Sequence, residues 1–497
     1  MDRIENERDV GVNARPPDWT NPKVAGRYRL VIIGGGPAGL CAAREAAALG
    51  ARVALIERYL LGGLSLNYGC IPSQALIRSS RLIADMRNAI QYGVRAPEPV
   101  EVDFPLIMER MRRICARISQ RDSAANLAAH GIDVFFGSAR FVGDDTVDVD
   151  GARLRFDKAL IATGSRSMLP TIPGLAEAGF LTNETVFDLN ALPKSLLVIG
   201  GGPVGCELAQ AFCRFGSRTI ITHDEPLFLP KEERDAALLL AESLARDGVE
   251  FHLNTRAVKV SIDGGRKVIE TLNDGNSATI VVDEILTGIG RMPVVAGLDL
   301  EAASVAYDAC NGIEVDDFLR TTNPRIYAAG DVCLEHQFTD TARASASIAV
   351  RNALLLGRQR VSALTIPWCT YTDPEIAHVG LYVRQARERG IPVKTFTVPM
   401  HEVDRAITDS EEDGFVKIHV REGTDKILGA TVVARHAGEM INDLSLAMVA
   451  GIGLDTIART MHAYPTQAEA IKKAAVACAT GRMTPWMTRL SHWWIQR

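Results

Sequence analysis

Two glycine runs carry the first recognisable chemistry. Gly34-Gly35-Gly36-Pro37-Ala38-Gly39 fits G-x-G-x-x-G. In such a run Gly34 permits a tight turn, Gly36 lets the backbone approach a pyrophosphate, and Gly39 lets helix and strand pack closely. The helix N-terminus then offers unpaired N–H groups to the phosphates. Glu57 stands 18 residues beyond Gly39, where a strand end puts a carboxylate within reach of both ribose hydroxyls. The second run is Gly200-Gly201-Gly202-Pro203-Val204-Gly205, with Gly200, Gly202 and Gly205 in the same three roles. Its ribose position, again 18 residues on, is His223, followed by Asp224. With no acid there, strict NAD preference is unsupported. His223 could meet a 2′-phosphate and Asp224 would repel one, so NADH versus NADPH stays open. The nine cysteines show no zinc spacing, and no metal site is expected.

Each cradle needs a strand–turn–helix–strand unit. Tyr28–Ile33 reads as a buried strand, Leu40–Leu49 as a small-residue helix and Arg52–Ile56 as the next strand, a βαβ unit of a parallel sheet. The texture returns about 166 residues later in Ser195–Ile199, Cys206–Phe215 and Arg218–Thr222. Two such units predict two nucleotide-sized ligands. Phe104–His130 reads as one long charged helix and Lys158–Thr163 as a buried strand. From Thr365 the pattern shifts to strands followed by helices Gly438–Ala450 and Thr466–Ala479, a separate α+β domain. Residues 1–27, with Pro16, Pro17 and Pro22, read as a loosely ordered extension.

A chain of 497 residues is too long for one ordinary domain. Its 47% hydrophobic and 23% charged content is ordinary globular usage, against disorder or a fibrous class. A net charge of −5 gives no reason to expect a nucleic-acid partner. An odd number of cysteines without framework spacing fits a reducing cytoplasm.

Further segments resemble one family, the class I pyridine nucleotide–disulfide oxidoreductases, which include dihydrolipoamide dehydrogenase, glutathione reductase and mercuric reductase. They are Gly62-Gly63-Leu64-Ser65-Leu66-Asn67-Tyr68-Gly69-Cys70-Ile71-Pro72-Ser73, Ala162-Thr163-Gly164, Gly288-Ile289-Gly290-Arg291-Met292-Pro293, Ile326-Tyr327-Ala328-Ala329-Gly330-Asp331, Tyr371-Thr372-Asp373-Pro374-Glu375 and His462-Ala463-Tyr464-Pro465-Thr466. The stretch His336-Gln337-Phe338-Thr339 is most similar to the mercuric-reductase-like branch. The resemblance implies an α/β fold with two Rossmann-like dinucleotide-binding domains and a C-terminal α+β dimerisation domain. It implies FAD in the first cradle and NAD(P)H in the second. Gly63, Ala139, Thr163 and Gly164 would line the FAD, Asp331 would hold its ribityl chain, and Gly290 would be a further cofactor position. The implied plan is an FAD domain over 28–165 and 289–364, a nicotinamide domain over 166–288, a dimerisation domain over 365–480 and a tail over 481–497. In a homodimer, the segment around Tyr464 would complete the partner's active site.

The sequence departs from this family where its chemistry resides. The family uses a C-x-x-x-x-C pair, the first thiol attacking substrate and the second lying against the flavin. Here the second is Cys70 and the first position is Ser65. A serine hydroxyl forms no disulfide, so dithiol–disulfide exchange is unavailable here. The family's lysine is replaced by Gln74, although its glutamate partner is kept as Glu207. The catalytic histidine is replaced by Tyr464, while the orienting glutamate is kept as Glu469. Losing thiol and base together is chemically coherent, because a base serves only a thiol that must be deprotonated. Mercuric reductases also carry a tyrosine at this position, but they have vicinal cysteines near the C-terminus where this chain has only Cys478.

The resulting expectation is a cytoplasmic, homodimeric FAD-dependent NAD(P)H oxidoreductase. Its electrons pass to a small acceptor (a quinone, a metal ion or oxygen), directly or through Cys70. Two alternatives stay open: a mercuric- or lipoamide-type disulfide reductase seen as a Ser65 variant, and a non-catalytic flavoprotein. From Ala470 onward there is no acid and there are five Lys/Arg, with Trp486, Trp493 and Trp494. That tail suits packing on a dimer surface or a weak membrane-surface contact.

Overall fold

The structure is a computed structural model that describes residues 13–355 and 357–482. The three tail tryptophans lie outside the described residues. Among the described residues no helix is long and apolar enough to cross a membrane.

The chain divides into two compact units, Met1–Asp224 with Phe251–Leu364, and Glu225–Glu250 with Thr365–Arg497. The first unit is built on a seven-stranded sheet. Its order is Ile132–Phe136, Val53–Glu57, Arg27–Ile33, Ala152–Ile161, Thr146–Val149, Ala139–Gly143, with Ile326–Ala328 also pairing to Ala152–Ile161. The strands Ile132–Phe136, Val53–Glu57, Arg27–Ile33, Ala152–Ile161 and Ile326–Ala328 are parallel to their neighbours in that group. Both faces are covered, as parallel sheets require. Leu30 and Ile32 join one apolar cluster and Val31 and Ile33 another. The strand expected over Lys158–Thr163 begins earlier, at Ala152, because its first half pairs with Thr146–Val149 in a hairpin.

The second βαβ unit forms a four-stranded sheet in the order Glu250–His252, Arg218–Thr222, Ser195–Ile199, Glu284–Thr287. An antiparallel meander, Thr255–Asp263, Arg266–Asn273 and Asn276–Val282, completes this part. The helix Pro203–Phe215 is buried along nearly its whole length. It packs against the helix Cys70–Arg87, and Phe212 and Phe215 each lie 5.9 Å from the ring of Phe104.

Two expectations fail locally. Phe104–His130 is two helices, Phe104–Ser119 and Ala124–Ala129. Ser123 breaks them apart: its backbone is extended and its Oγ accepts the Asn126 N–H at 3.3 Å, which starts a new helix. Nor are residues 13–27 loose. Ala14 is buried and accepts the Leu61 N–H at 3.1 Å. Trp19 Nε1 donates to Val134 O at 3.2 Å, and Asn21 exchanges two 2.8 Å hydrogen bonds with the backbone of Phe136. Strand Ile132–Phe136 is the edge of its sheet, and this segment satisfies its open backbone groups.

The second unit holds a five-stranded antiparallel sheet in the order Pro367–Thr370, Glu375–Gly380, Ile427–Ala434, Phe415–Arg421, Val393–Pro399. Helices Ala437–Val449 and Glu469–Gly481 pack on it. Leu446, Val449 and Met461 are left open to solvent, Met461 at 91%.

Candidate active site

The first cradle is closed by backbone contacts that only glycine allows. Gly34 has φ +108°, and a Cβ there would lie 2.3 Å from Ala162 O; one on Gly39 would lie 1.8 Å from Gly34 O. A Cβ on Gly63 would stand 2.7 Å from Gly36 Cα, so the loop before Ser65 lies directly on the cradle. The helix Pro37–Ala48 has no side-chain cap, which leaves its first N–H groups for a ligand. Glu57 accepts the Gly35 N–H at 2.7 Å and the Tyr59 N–H at 2.6 Å. Burial pushes its carboxyl up, and these N–H bonds pull part of the way back. Gly137 N–H donates to Glu57 O, which brings Ala139, first residue of its strand, to the same end of the sheet.

Three parallel strands end side by side above this cradle, at Ile33, Ile161 and Ala328. Ala162 N–H donates to Ile33 O and Ala329 N–H to Ile161 O, so Gly34, Thr163 and Asp331 leave the sheet together. This is the crevice where open α/β sheets bind ligands. Thr163 Oγ1 donates to Val294 O at 2.7 Å, and Met168 N–H donates to Gly290 O. Asp331 accepts Ser165 Oγ at 2.7 Å and Arg291 Nη2 at 2.9 Å. Arg291 thus neutralises the half-buried Asp331, a pairing that sequence reasoning missed because Arg291 was read only as part of a motif.

The second cradle repeats the first. A Cβ on Gly200, at φ +110°, would lie 2.5 Å from Gly288 O, and one on Gly205 would lie 2.3 Å from Gly200 O. The nearest atom to a Cβ on Gly202 is Gly288 O at 3.9 Å, which leaves room for a ligand over the backbone. His223 Nδ1 accepts the Gly201 N–H at 3.4 Å, the place Glu57 takes in the first cradle. Asp224 is exposed, 3.8 Å from Nδ1. Both cradles therefore fit a dinucleotide.

Ser65 and Cys70 come together at the first cradle's mouth. Ser65 lies on the short helix Gly63–Asn67, and Cys70 is the first residue of Cys70–Arg87. Thr339, first residue of Thr339–Leu354, donates to Ser65 Oγ at 3.1 Å and lies 3.4 Å from Cys70 Sγ. Gln74 lies on the Cys70–Arg87 helix, and Glu207 is buried on the helix packed against it.

In the second unit Tyr464 is 71% exposed. Its hydroxyl donates to Asp404 Oδ2 at 2.8 Å, and that bond and the carboxylate's charge push the phenol up. The expected orienting role of Glu469 takes a different form. Glu469 sits 3.7 Å from Lys473 Nζ and reaches Tyr464 through charge alone. The phenol is longer than an imidazole, and its hydroxyl finds Asp404 at the start of the helix Asp404–Asp409 instead.

Paired dinucleotide cradles, with a residue pair at the mouth of the first, define a two-nucleotide oxidoreductase of the flavoprotein type. Family models agree: pyridine nucleotide-disulphide oxidoreductase matches residues 28–353, and its dimerisation domain matches 366–475. The chain is 34% identical over 449 residues to a mercuric reductase of Bacillus cereus, covering 90% of this chain and 71% of that one. It is 33% identical over 459 residues to a dihydrolipoyl dehydrogenase of Thermus scotoductus, covering 90% and 97%. Among solved structures, the HOCl-induced flavoprotein disulfide reductase from Escherichia coli superposes with TM-score 0.81 at 30% identity, covering 90% and 99%. The chain belongs to the pyridine nucleotide-disulphide oxidoreductase family. It is an FAD-containing, NAD(P)H-dependent oxidoreductase, and its dimerisation domain supports a homodimer.

Proposed function

We propose that this protein passes electrons from NAD(P)H through FAD to a small acceptor, a quinone, a metal ion or oxygen, without a dithiol relay. The observation that carries this reading is Ser65, whose hydroxyl occupies the place of the first thiol and shares Thr339 with Cys70. Bound FAD supplies the hydride acceptance and the onward electron transfer. The protein's residues bind and orient. Gly34, Gly36 and Gly39 with their helix N-terminus hold the pyrophosphate. Glu57 holds a ribose, Gly63, Ala139, Thr163 and Gly164 line the flavin nucleotide, and Asp331, fixed by Arg291 and Ser165, holds the ribityl chain. Gly200, Gly202, Gly205, His223 and Gly290 serve the nicotinamide nucleotide. Gln74 and Glu207 occupy the interface of their two helices. Tyr464, kept protonated by Asp404, presents a hydrogen bond or proton to the acceptor in the dimer, with Glu469 adding negative charge nearby.

Anaerobic titration with NADH and with NADPH, followed by an acceptor screen, tests this reading. Flavin should bleach with at least one of them, while dihydrolipoamide, glutathione disulfide and mercuric ion should turn over poorly. Absence of bleaching would return the protein to a non-catalytic flavoprotein. Glu57→Ala should weaken FAD retention by about 1–3 kcal/mol, the cost of leaving a charged acceptor's partners unpaired; flavin release on dilution measures it.

The exit route is tested by two substitutions. Cys70→Ala should change turnover less than about threefold, and Tyr464→Phe should lower it about a hundredfold, the lower end of acid catalysis. An inactive Cys70→Ala enzyme whose flavin is reduced normally would instead make Cys70 the relay.

A further inference from the structure

Residues 13–21 grip the first cradle from outside, ahead of residue 28, where the family match begins. They hold two things at once. Trp19 meets the ring of Phe136 edge-on at 6.1 Å, and the Arg15 guanidinium stands over the same ring, 5.4 Å from its centroid. Phe136 is paired across the parallel strands with Glu57, the carboxylate at the ribose position. The second hold is on the loop after Glu57. Arg15 Nη1 donates to Arg58 O at 2.8 Å, and Ala14 O accepts the Leu61 N–H at 3.1 Å. Leu61 belongs to the same apolar cluster as Ala14, and a Cβ on Gly35 would stand 2.7 Å from Leu61 Cδ2. Leu61 is therefore packed between this segment and the glycine turn of the cradle.

We propose that residues 13–21 are a strap that sets how firmly FAD is held, with Arg15 as a positioning residue for Glu57. The proposal rests on the reading that Glu57 holds a ribose of FAD. The route is short. Tyr59 N–H donates to Glu57 Oε1 at 2.6 Å, and Tyr59 lies between the two attachments of the strap, Arg58 and Leu61. Gly35 N–H holds the other oxygen at 2.7 Å. Each carboxylate oxygen keeps a second lone pair for a ribose hydroxyl. The two N–H donors fix the plane of the carboxylate, and so the direction in which those lone pairs point. One donor rides on the glycine turn and the other on the loop that the strap clamps. With the strap released, Arg58 O and Leu61 N–H turn to water, the loop gains conformational freedom, and Tyr59 no longer holds Glu57 in one plane. The strap orders the loop before FAD arrives, so binding does not have to.

The test uses the full-length holoenzyme and follows free flavin fluorescence after dilution. Arg15→Met keeps an unbranched apolar stem against Phe136 and removes the bond to Arg58 O. It should speed FAD release about fivefold, the scale of one hydrogen bond lost at a partly solvated site. Arg15→Lys, which can still donate there, should stay within about twofold of the parent. Two readouts separate this from a general weakening of the fold. Calorimetric binding of ADP-ribose to the second cradle should stay within about twofold of the parent in Arg15→Met. In a Glu57→Ala background, Arg15→Met should speed release by less than about twofold, because the carboxylate it positions is gone. Unchanged FAD release from Arg15→Met overturns the proposal. So does the same acceleration on top of Glu57→Ala, or an equal loss of ADP-ribose binding. Parental release from Glu57→Ala alone removes the ribose reading and the proposal with it. Faster release from Glu57→Ala, with none from Arg15→Met, removes the proposal and leaves the ribose reading standing.

Discussion

Gly39→Ala should yield a protein without flavin, and Gly205→Ala a yellow protein that NADH and NADPH no longer bleach. Each added methyl meets backbone. At Gly39 it lands 1.8 Å from Gly34 O and at Gly205 2.3 Å from Gly200 O. These carbonyls cannot step aside as a flexible side chain would. Gly34 is itself jammed against Ala162, and Gly200 against Gly288. The helix must lift off the strand, and the N–H groups that face the pyrophosphate leave with it. The expected loss is at least about a hundredfold in nucleotide affinity, about 3 kcal/mol. Gly93→Ala is the control: φ +76° and ψ 13° are left-handed helical, with nothing within 4 Å of the added methyl, so it bears left-handed strain of about 1–2 kcal/mol and no clash. The ratio of flavin to protein absorbance reads the first variant, and stopped-flow bleaching the second. The opposite pattern, flavin lost from Gly205→Ala and kept by Gly39→Ala, would exchange the two cradles.

Those cradles were legible because their information is local: strand, glycine turn and helix occupy about thirty consecutive residues, and period and composition announce them. The strands Ser195–Ile199 and Arg218–Thr222 fall where periodicity put them. What escaped the sequence depends on distant contacts. Asn21 pairs with Phe136, 115 residues away, so a proline-marked segment looked loose although it closes a sheet edge. Thr339 reaches Ser65 across 274 positions, and Tyr464 reaches Asp404 across 60. No periodicity signals a single hydroxyl brought in by the start of a remote helix. Glu225–Glu250 carries Glu232 and Glu233, whose partners are Tyr382, Trp368, Lys417 and His419. A reading by sequence position gave that segment to the nicotinamide domain, whereas its contacts group it with the second compact unit.

That same cluster should make the second unit sensitive to acid. His378 is fully buried, stacked 3.6 Å from the Tyr382 ring, with Nδ1 at 2.8 Å from Thr431 Oγ1 and Nε2 at 3.2 Å from Gly380 O. One proton satisfies this pair: Nε2–H donates to Gly380 and Nδ1 accepts from Thr431. Burial pushes the imidazole down to about 3, against a smaller opposing effect of the Gly380 carbonyl. The unfolded chain takes up a proton near pH 6.5 and the folded chain does not, so stability is full above about pH 6.5 and falls as pH drops toward the folded value. The loss is about 2 kcal/mol at pH 5 and about 4 kcal/mol at pH 3. Glu233 adds to it at lower pH. Burial pushes its carboxyl up, but hydrogen bonds from His419 and Lys417 outweigh that and hold it at about 2. Its contribution is present above the unfolded value of about 4.3 and disappears between there and 2, a further loss of about 3 kcal/mol. Glu232 works the other way: burial raises its carboxyl despite hydrogen bonds from Tyr382 and Trp368, so its share fades as pH rises and offsets part of the acid loss. Between about pH 6.5 and 5 the His378 contribution has the steepest slope. Thermal unfolding followed across that interval should show a falling midpoint for the parent. It should be shallower by about one proton's worth of slope for His378→Phe, which keeps an aromatic ring against Trp368 and Tyr382 but cannot titrate. Equal slopes in the two proteins would place the acid sensitivity elsewhere in the chain.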